Sequence, residues 1–237
     1  MKRRYPMYLF RSEKIPERMR LAVASDLHAG PYREEIDVFL SCDALLLPGD
    51  LLDRHRRNNS RAEAFLKEVP DRLPVYYAMG NHEVRYPRPW EFDAFLAQSR
   101  VHVLDNNSCY FRGIRIGGLS SPPKGKDPDT GFLDRFAAEE EYKILMCHHP
   151  ELYGPFVQGR NIDLTLCGHA HGGQIQICGR GLYAPGQGLF PKLTHGFHDG
   201  GKMLISRGMT NAALPRVPRI NNPCELIILE LAPMEEQ

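Results

Sequence analysis

The 237-residue chain reads as an α/β fold that opens with a largely parallel sheet, and three observations predict it. Apolar runs at 20–25, 44–47 and 74–79 alternate with helical spacings at 32–41 and 60–69, which is the rhythm of βαβ units. Each run stops at a polar cluster: Asp26-Leu27-His28, then Gly49-Asp50, then Gly80-Asn81-His82. Two later runs, 143–147 and 162–167, stop the same way, at His148-His149-Pro150 and at Gly168-His169-Ala170-His171-Gly172-Gly173-Gln174. In a parallel sheet such clusters gather beyond the carboxyl ends of the strands.

Taken in order, the run at 20–25 is an interior strand, and the helix at 32–41 spaces Ile36, Phe39 and Leu40 for one buried face. The strand at 44–47 leads into Pro48-Gly49-Asp50-Leu51-Leu52-Asp53. The helix at 60–69 turns Ala64, Phe65 and Val69 inward and takes Ser60 as its N-cap. A Pro-rich stretch with the single Trp90 precedes a helix at 91–98. Runs at 101–104, 109–111 and 114–119, parted by Asn106-Asn107 and Arg112-Gly113, read as a β-meander. A loop at 120–129 and a helix at 130–141 lead to the strand at 143–147, a short helix at 151–157 and the strand at 162–167. Beyond it, 172–201 is rich in Gly and Pro with a hairpin signal at 174–177, and strands at 202–206 and 224–231 close the fold. No linker divides the chain, so 1–237 is expected to be a single domain.

Bulk properties exclude some classes. With 42% hydrophobic and 25% charged residues the composition is that of a globular domain, and a formal charge of +1 leaves no electrostatic footprint for long nucleic acid. Six scattered cysteines without a C-x-x-C pair read as free, mostly buried thiols of a reducing compartment. Residues 1–10 start with the basic residues of a secretory leader, but no long apolar region follows, and no run reaches the length of a membrane span. The expected location is cytoplasmic, either free or peripheral to the inner membrane face.

A lone His-x-His pair is an ordinary loop feature. As the last of five strand-end clusters it means more, because Asp26, His28, Asp50, Asn81, His82, His148, His169 and His171 are all oxygen or imidazole donors. That set suits a hard to borderline divalent metal and exceeds what one ion takes, which points to two ions sharing a bridge. Such a pair serves in-line displacement at a phosphate ester.

The ordered series D-x-H, G-D-x-x-D, G-N-H-E, H-x-P and G-H-x-H, spanning 26–171, resembles the calcineurin-like metallophosphoesterase superfamily. The extended form G-H-A-H-G-G-Q is similar to a bacterial phosphodiesterase branch whose members often carry a membrane anchor or export signal. This resemblance implies a sandwich of two mixed β-sheets flanked by helices. It implies that Asp26, His28 and His171 hold one metal, that Asn81, His148 and His169 hold the other, and that Asp50 bridges both, one oxygen to each. It implies two divalent ions, Mn²⁺ first with Fe or Zn²⁺ as alternatives. A metal-bridging hydroxide would attack phosphorus, with catalytic His82 assisting the leaving group beside Asp50. The expected partner is a small phosphate-ester substrate, monoester or diester, with the oligomeric state open. The alternatives are pyrophosphate hydrolysis on a lipid-linked or nucleotide substrate, and a non-catalytic metal-binding scaffold.

Around that set the residues allow two readings each. Asp53 and Glu83 either hold imidazoles in one tautomer or serve as a helix cap and a solvated charge. His149, next to His148 on a strand end, faces a loop or the substrate rather than the metals. His55 and His102 read as surface residues, and His195 and His198 as loop residues or cleft lining. Arg54-His55-Arg56-Arg57 with Arg61, and Arg207, Arg216 and Arg219, either grip a phosphate or form a solvated face. The loop at 182–193 is a lid or a patch for lipid or an acyl-bearing substrate, or else Leu189 and Phe190 tuck against the core, the preferred reading.

Overall fold

The structure is a computed structural model that describes residues 3–211 and 217–234. Among these, the strands in chain order are β1 (Met7–Arg11), β2 (Met19–Val23), β3 (Ala44–Pro48), β4 (Val75–Ala78), β5 (His102–Val103), β6 (Asn107–Phe111), β7 (Ile114–Leu119) and β8 (Tyr142–Cys147). They continue as β9 (Leu164–Cys167), β10 (Gln176–Ile177), β11 (Arg180–Gly181), β12 (Tyr183–Ala184), β13 (Gly188–Leu189), β14 (Gly196–His198), β15 (Met203–Ile205) and β16 (Ile227–Ala232). The helices are α1 (Ile36–Leu40), α2 (Ser60–Glu68), α3 (Asn81–Val84), α4 (Pro89–Ala97) and α5 (Thr130–Ala137).

Two mixed six-stranded sheets form, in the orders β1-β16-β2-β3-β4-β5 and β14-β15-β9-β8-β7-β6. In the first, β2 to β5 are parallel and β16 runs against β2; in the second, β7, β8, β9 and β15 are parallel and β6 and β14 run against their neighbours. The period-2 alternation of β strands sorts the side chains into layers. Leu21, Val23, Ala44, Leu46, Ile116, Ile144, Met146, Leu164 and Leu166 meet between the sheets. Ala22, Leu45 and Leu47 turn the other way, onto Phe39 of α1, Phe65 of α2 and Phe92 of α4. On the outer face of the second sheet, Leu145, Cys147 and Ile205 pack against Phe132, Leu133 and Phe136 of α5. The expected sandwich with outer helices is thus the observed one.

Several local expectations differ. The meander does not form as read: β5 pairs with β4 in the first sheet, and only β6 and β7 form a hairpin, turned by Arg112 and Gly113 at φ +46° and +86°. Asn59, not Ser60, occupies the N-cap position of α2, and Ala62 and Leu66 are buried with Phe65 where Ala64 was expected. Residues 7–11, passed over as part of a leader-like start, form β1 in parallel register with β16. Among the described residues no helix is long and apolar enough to cross a membrane.

Candidate metal centre

The parallel strands β2, β3 and β4 lie side by side, and their carboxyl ends deliver Asp26 and His28, Asp50, and Asn81 with His82. From the other sheet, the neighbours β8 and β9 deliver His148, and His169 with His171. All eight side chains are buried. Five of them, Asp26, His28, Asp50, His169 and His171, have left-handed backbone with φ between +46° and +64°. Non-glycine residues enter that region at a cost of about 1–3 kcal/mol each and stay there when the surroundings over-determine them. The backbones also approach closely: a Cβ on Gly49, itself at φ +93°, would lie 2.5 Å from His148 Nδ1, and one on Gly168 would lie 1.8 Å from Ser25 Oγ.

Asp50 is central. Its Oδ1 accepts the His82 backbone N–H at 2.9 Å, while Oδ2 lies 3.1 Å from His148 Nε2, 3.8 Å from His28 Nε2 and 4.0 Å from His82 Nε2. Oδ2 therefore faces imidazoles from both sheets, while Oδ1 accepts a backbone amide. Asp26 Oδ1 is 3.8 Å from His28 Nε2 and 3.6 Å from His171 Nε2, and the carboxylate accepts the His169 backbone N–H at 3.1 and 3.2 Å. The Nδ1–H of His148 donates to Pro48 O at 2.8 Å, which leaves Nε2 for the centre.

Charge follows from this packing. Burial alone would raise the carboxyls of Asp26 and Asp50, but the surrounding imidazoles outweigh it and hold both below the usual carboxylate range. Burial likewise disfavours a proton on His148, and Asp50 more than reverses this, raising it. The pair of carboxylates thus attracts positive charge. Burial lowers His82 to about 3, helped by His28 and Arg54 against the pull of Asp50, so this ring is neutral. The Arg54 N–H donates to His82 Nδ1 at 3.1 Å, which places the ring proton on Nε2.

The residues fit divalent cations. Donor atoms of Asp26, His28 and His171, of His28, Asp50 and His82, and of Asp50, His148 and His169 form groups whose members lie within 4.8 Å of one another. Both His28 nitrogens, Asn81 Oδ1 and His148 Nε2 are buried with no hydrogen-bond partner among the described residues. Left so, each would cost about 1–3 kcal/mol, and cations held by one His28 nitrogen, by Asn81 Oδ1 and by His148 Nε2 would remove most of that cost.

The neighbouring residues sort themselves. Glu83 is buried and accepts from three backbone amides, Asp50 at 3.0 Å, Leu52 at 2.8 Å and Gly80 at 2.8 Å, so it is neither a solvated charge nor a partner of an imidazole. Asp53 caps no helix; it accepts from His55 N–H and Arg56 Nε at 3.0 Å and lies 3.6 Å from His82 Nδ1, shaping the loop that carries the Arg54 amide. His149 turns to Glu151, Nδ1 to Oε1 3.0 Å, and lines the cleft. His195 bonds to Gln176 of β10 and to Thr194, His198 of β14 bonds to the His195 carbonyl, and neither lines the cleft. Arg219 is buried behind His171, donating to Nδ1 at 3.2 Å, and Arg207 pairs with Glu225 and Asn222. Arg216 lies outside the described residues. Gln174 donates to Asn211 Oδ1 at 2.8 Å and Val217 O at 2.6 Å, a clasp across the loop behind the site.

The cleft, about 350 Å³, is lined by Asp50, Asn81, His82, His149, His169 and His171 and also by Arg54, His55, Arg85, Glu151, Tyr183, Pro185 and Gly186. His55 is exposed, as expected, and its ring centroid stands 5.5 Å from that of His82. Arg85 and Glu151 were not anticipated, the one local signal being a carboxylate two residues after His149, whereas Tyr183 lies in the loop at 182–193. Leu189 and Phe190 do not tuck against the core: they are 69% and 73% exposed.

A family model described as calcineurin-like phosphoesterase matches residues 19–173. An uncharacterized metallophosphoesterase of Aquifex aeolicus (strain VF5) is 24% identical over 248 residues, covering 96% of this chain and 91% of that protein. One of Helicobacter pylori (strain ATCC 700392 / 26695) is 24% identical over 182 residues, 72% of this chain and 48% of that protein. A transmembrane protein with metallophosphoesterase domain of Danio rerio is 27% identical over 190 residues, 69% of this chain and 43% of that protein. The chain thus spans about half the length of the Helicobacter pylori relative.

Proposed function

We propose that this chain, which belongs to the calcineurin-like phosphoesterase family, is a phosphoesterase that uses two divalent cations to hydrolyse a phosphodiester or phosphomonoester. The observation that carries the reading is the convergence of seven donor side chains from the strand ends of two sheets into adjoining groups that share His28 and Asp50, with Asn81 buried beside them. Asp26, His28 and His171 would hold one cation, Asn81, His148 and His169 the other, and Asp50 would serve both. Two cations there supply Lewis acidity and a water of lowered pKa near neutral pH.

The chain's own residues do the rest. His82, neutral and protonated on Nε2, presents an N–H to the departing oxygen and to the charge that develops on the phosphoryl oxygens. Its ring is fixed from behind by the Arg54 amide and from below by its own amide on Asp50, so the donor is oriented before substrate arrives. Mn²⁺ is the first candidate, with Fe or Zn²⁺ as alternatives, since the donors include no thiolate. Metal-stripped protein should be inactive on bis-p-nitrophenyl phosphate and regain activity with Mn²⁺; full activity without metal overturns the reading.

A further inference from the structure

The lining of the cleft divides by chemistry. Arg54, His55 and Arg85 come from the segments after β3 and α3, and neither guanidinium pairs with a carboxylate among the described residues. Tyr183 and Pro185 come from the β12–β13 hairpin and are largely apolar. Tyr183 and Leu189 are cross-strand partners in that antiparallel hairpin, so their side chains leave the same face side by side. Leu189 and Phe190, 69% and 73% exposed, are the two most exposed large apolar side chains among the described residues, and Ile177 on the preceding hairpin is 61% exposed. Phe190 is fixed rather than slack: its backbone is left-handed at φ +51°, and its N–H donates to Leu182 O at 2.9 Å.

An apolar strip therefore starts inside the cleft at Tyr183 and passes out over its cross-strand partner Leu189, and the exposed Phe190 follows Leu189 in the chain. Tyr183 belongs to both the cleft and the strip, so whatever occupies the first continues onto the second. We infer that the substrate is an amphiphilic phosphoester, its phosphoryl group at the donor cluster, a polar or anionic head beside Arg54 and Arg85, and an acyl chain lying over Tyr183, Leu189 and Phe190. This inference rests on the phosphoesterase reading and narrows its substrate class.

The test is a series of p-nitrophenyl alkyl phosphates from ethyl to decyl, each below its micelle concentration, with the Mn²⁺-loaded protein. Each methylene drawn fully from water multiplies affinity by up to about fourfold, and an open strip recovers part of that, so kcat/KM should rise roughly 30-fold from ethyl to decyl. In the double variant L189S/F190S, whose circular dichroism and melting point should match the parent because both residues are exposed, the decyl-to-ethyl ratio should fall to within about threefold. A flat series with the ethyl ester turned over overturns the inference and leaves the phosphoesterase reading standing, as does a ratio unchanged in the double variant. Failure to turn over any member strikes the phosphoesterase reading instead. Calorimetric titration of metal-loaded protein with ethyl and decyl phosphate then decides the inference, equal affinities overturning it.

Discussion

The strand-end cluster and the two hairpins at 176–189, of which β12–β13 lines the same cleft, are built in opposite ways. In the cluster the backbone is tied down by carboxylates: Glu83 takes three backbone amides, Asp26 the amide of His169, Asp50 that of His82, and all eight donors are buried. The hairpins are two-residue ladders whose largest side chains, Ile177, Tyr183 and Leu189, stand in solvent. On the proposed reading, chemistry depends on rigidity inherited from two sheets, whereas recognition is left to small elements whose side chains can change without disturbing them.

The largest effect should come from breaking the shared carboxylate. Asp50→Asn should lower kcat/KM on bis-p-nitrophenyl phosphate by at least about 10³-fold, and bound metal per chain, read by plasma mass spectrometry, should drop with it. Next comes His82→Gln, which should lower kcat by roughly 10²–10³-fold while metal content stays at the parent level; metal loss would make His82 a ligand instead. A stability pair then sharpens the contrast. Leu46→Ala, in the layer between the sheets, should cost about 2–5 kcal/mol in urea unfolding, and Leu189→Ala should stay within about 0.5 kcal/mol. Equal costs would show that the hairpin is integral to the core.

The smallest effect is on pH. Burial, then Arg207 and His198, lowers His195 to about 4, against about 6.5 in an unfolded chain. The unfolded chain binds the proton more readily, so this contribution is complete above about pH 6.5 and is lost as pH falls toward 4. His195→Gln should flatten the urea midpoint between those values, and curves of unchanged slope would refute the assignment.

How much of this was legible in the sequence depended on distance along the chain. Asp26, Asp50, Asn81, His82, His148, His169 and His171 follow apolar runs directly, so the strand that buries them also announces them. The cleft lining was harder, because Arg85 and Tyr183 meet the site only after β4 and β9 have been set in different sheets. The meander misled because three short apolar runs in succession cannot say which sheet each joins, and two residues of β5 sufficed to send it to β4. Leu189 and Phe190 misled for a different reason. Apolar character predicts burial on average, and an exposed apolar tip breaks that rule where a surface serves something outside the chain.

That the donors come from both sheets carries a consequence in thermodynamic linkage. Asp26, Asp50 and Asn81 ride on one sheet and His148, His169 and His171 on the other, so each cation of the proposed pair would take donors from both, and such a cation would be a clasp across the sandwich. Its binding free energy then adds to the free energy of keeping the two sheets docked, by about 2.7 kcal/mol at a free concentration of a hundred times the dissociation constant. Chelation should lower the melting temperature as well as the activity, and amide exchange should quicken first in the strands that meet beneath the site.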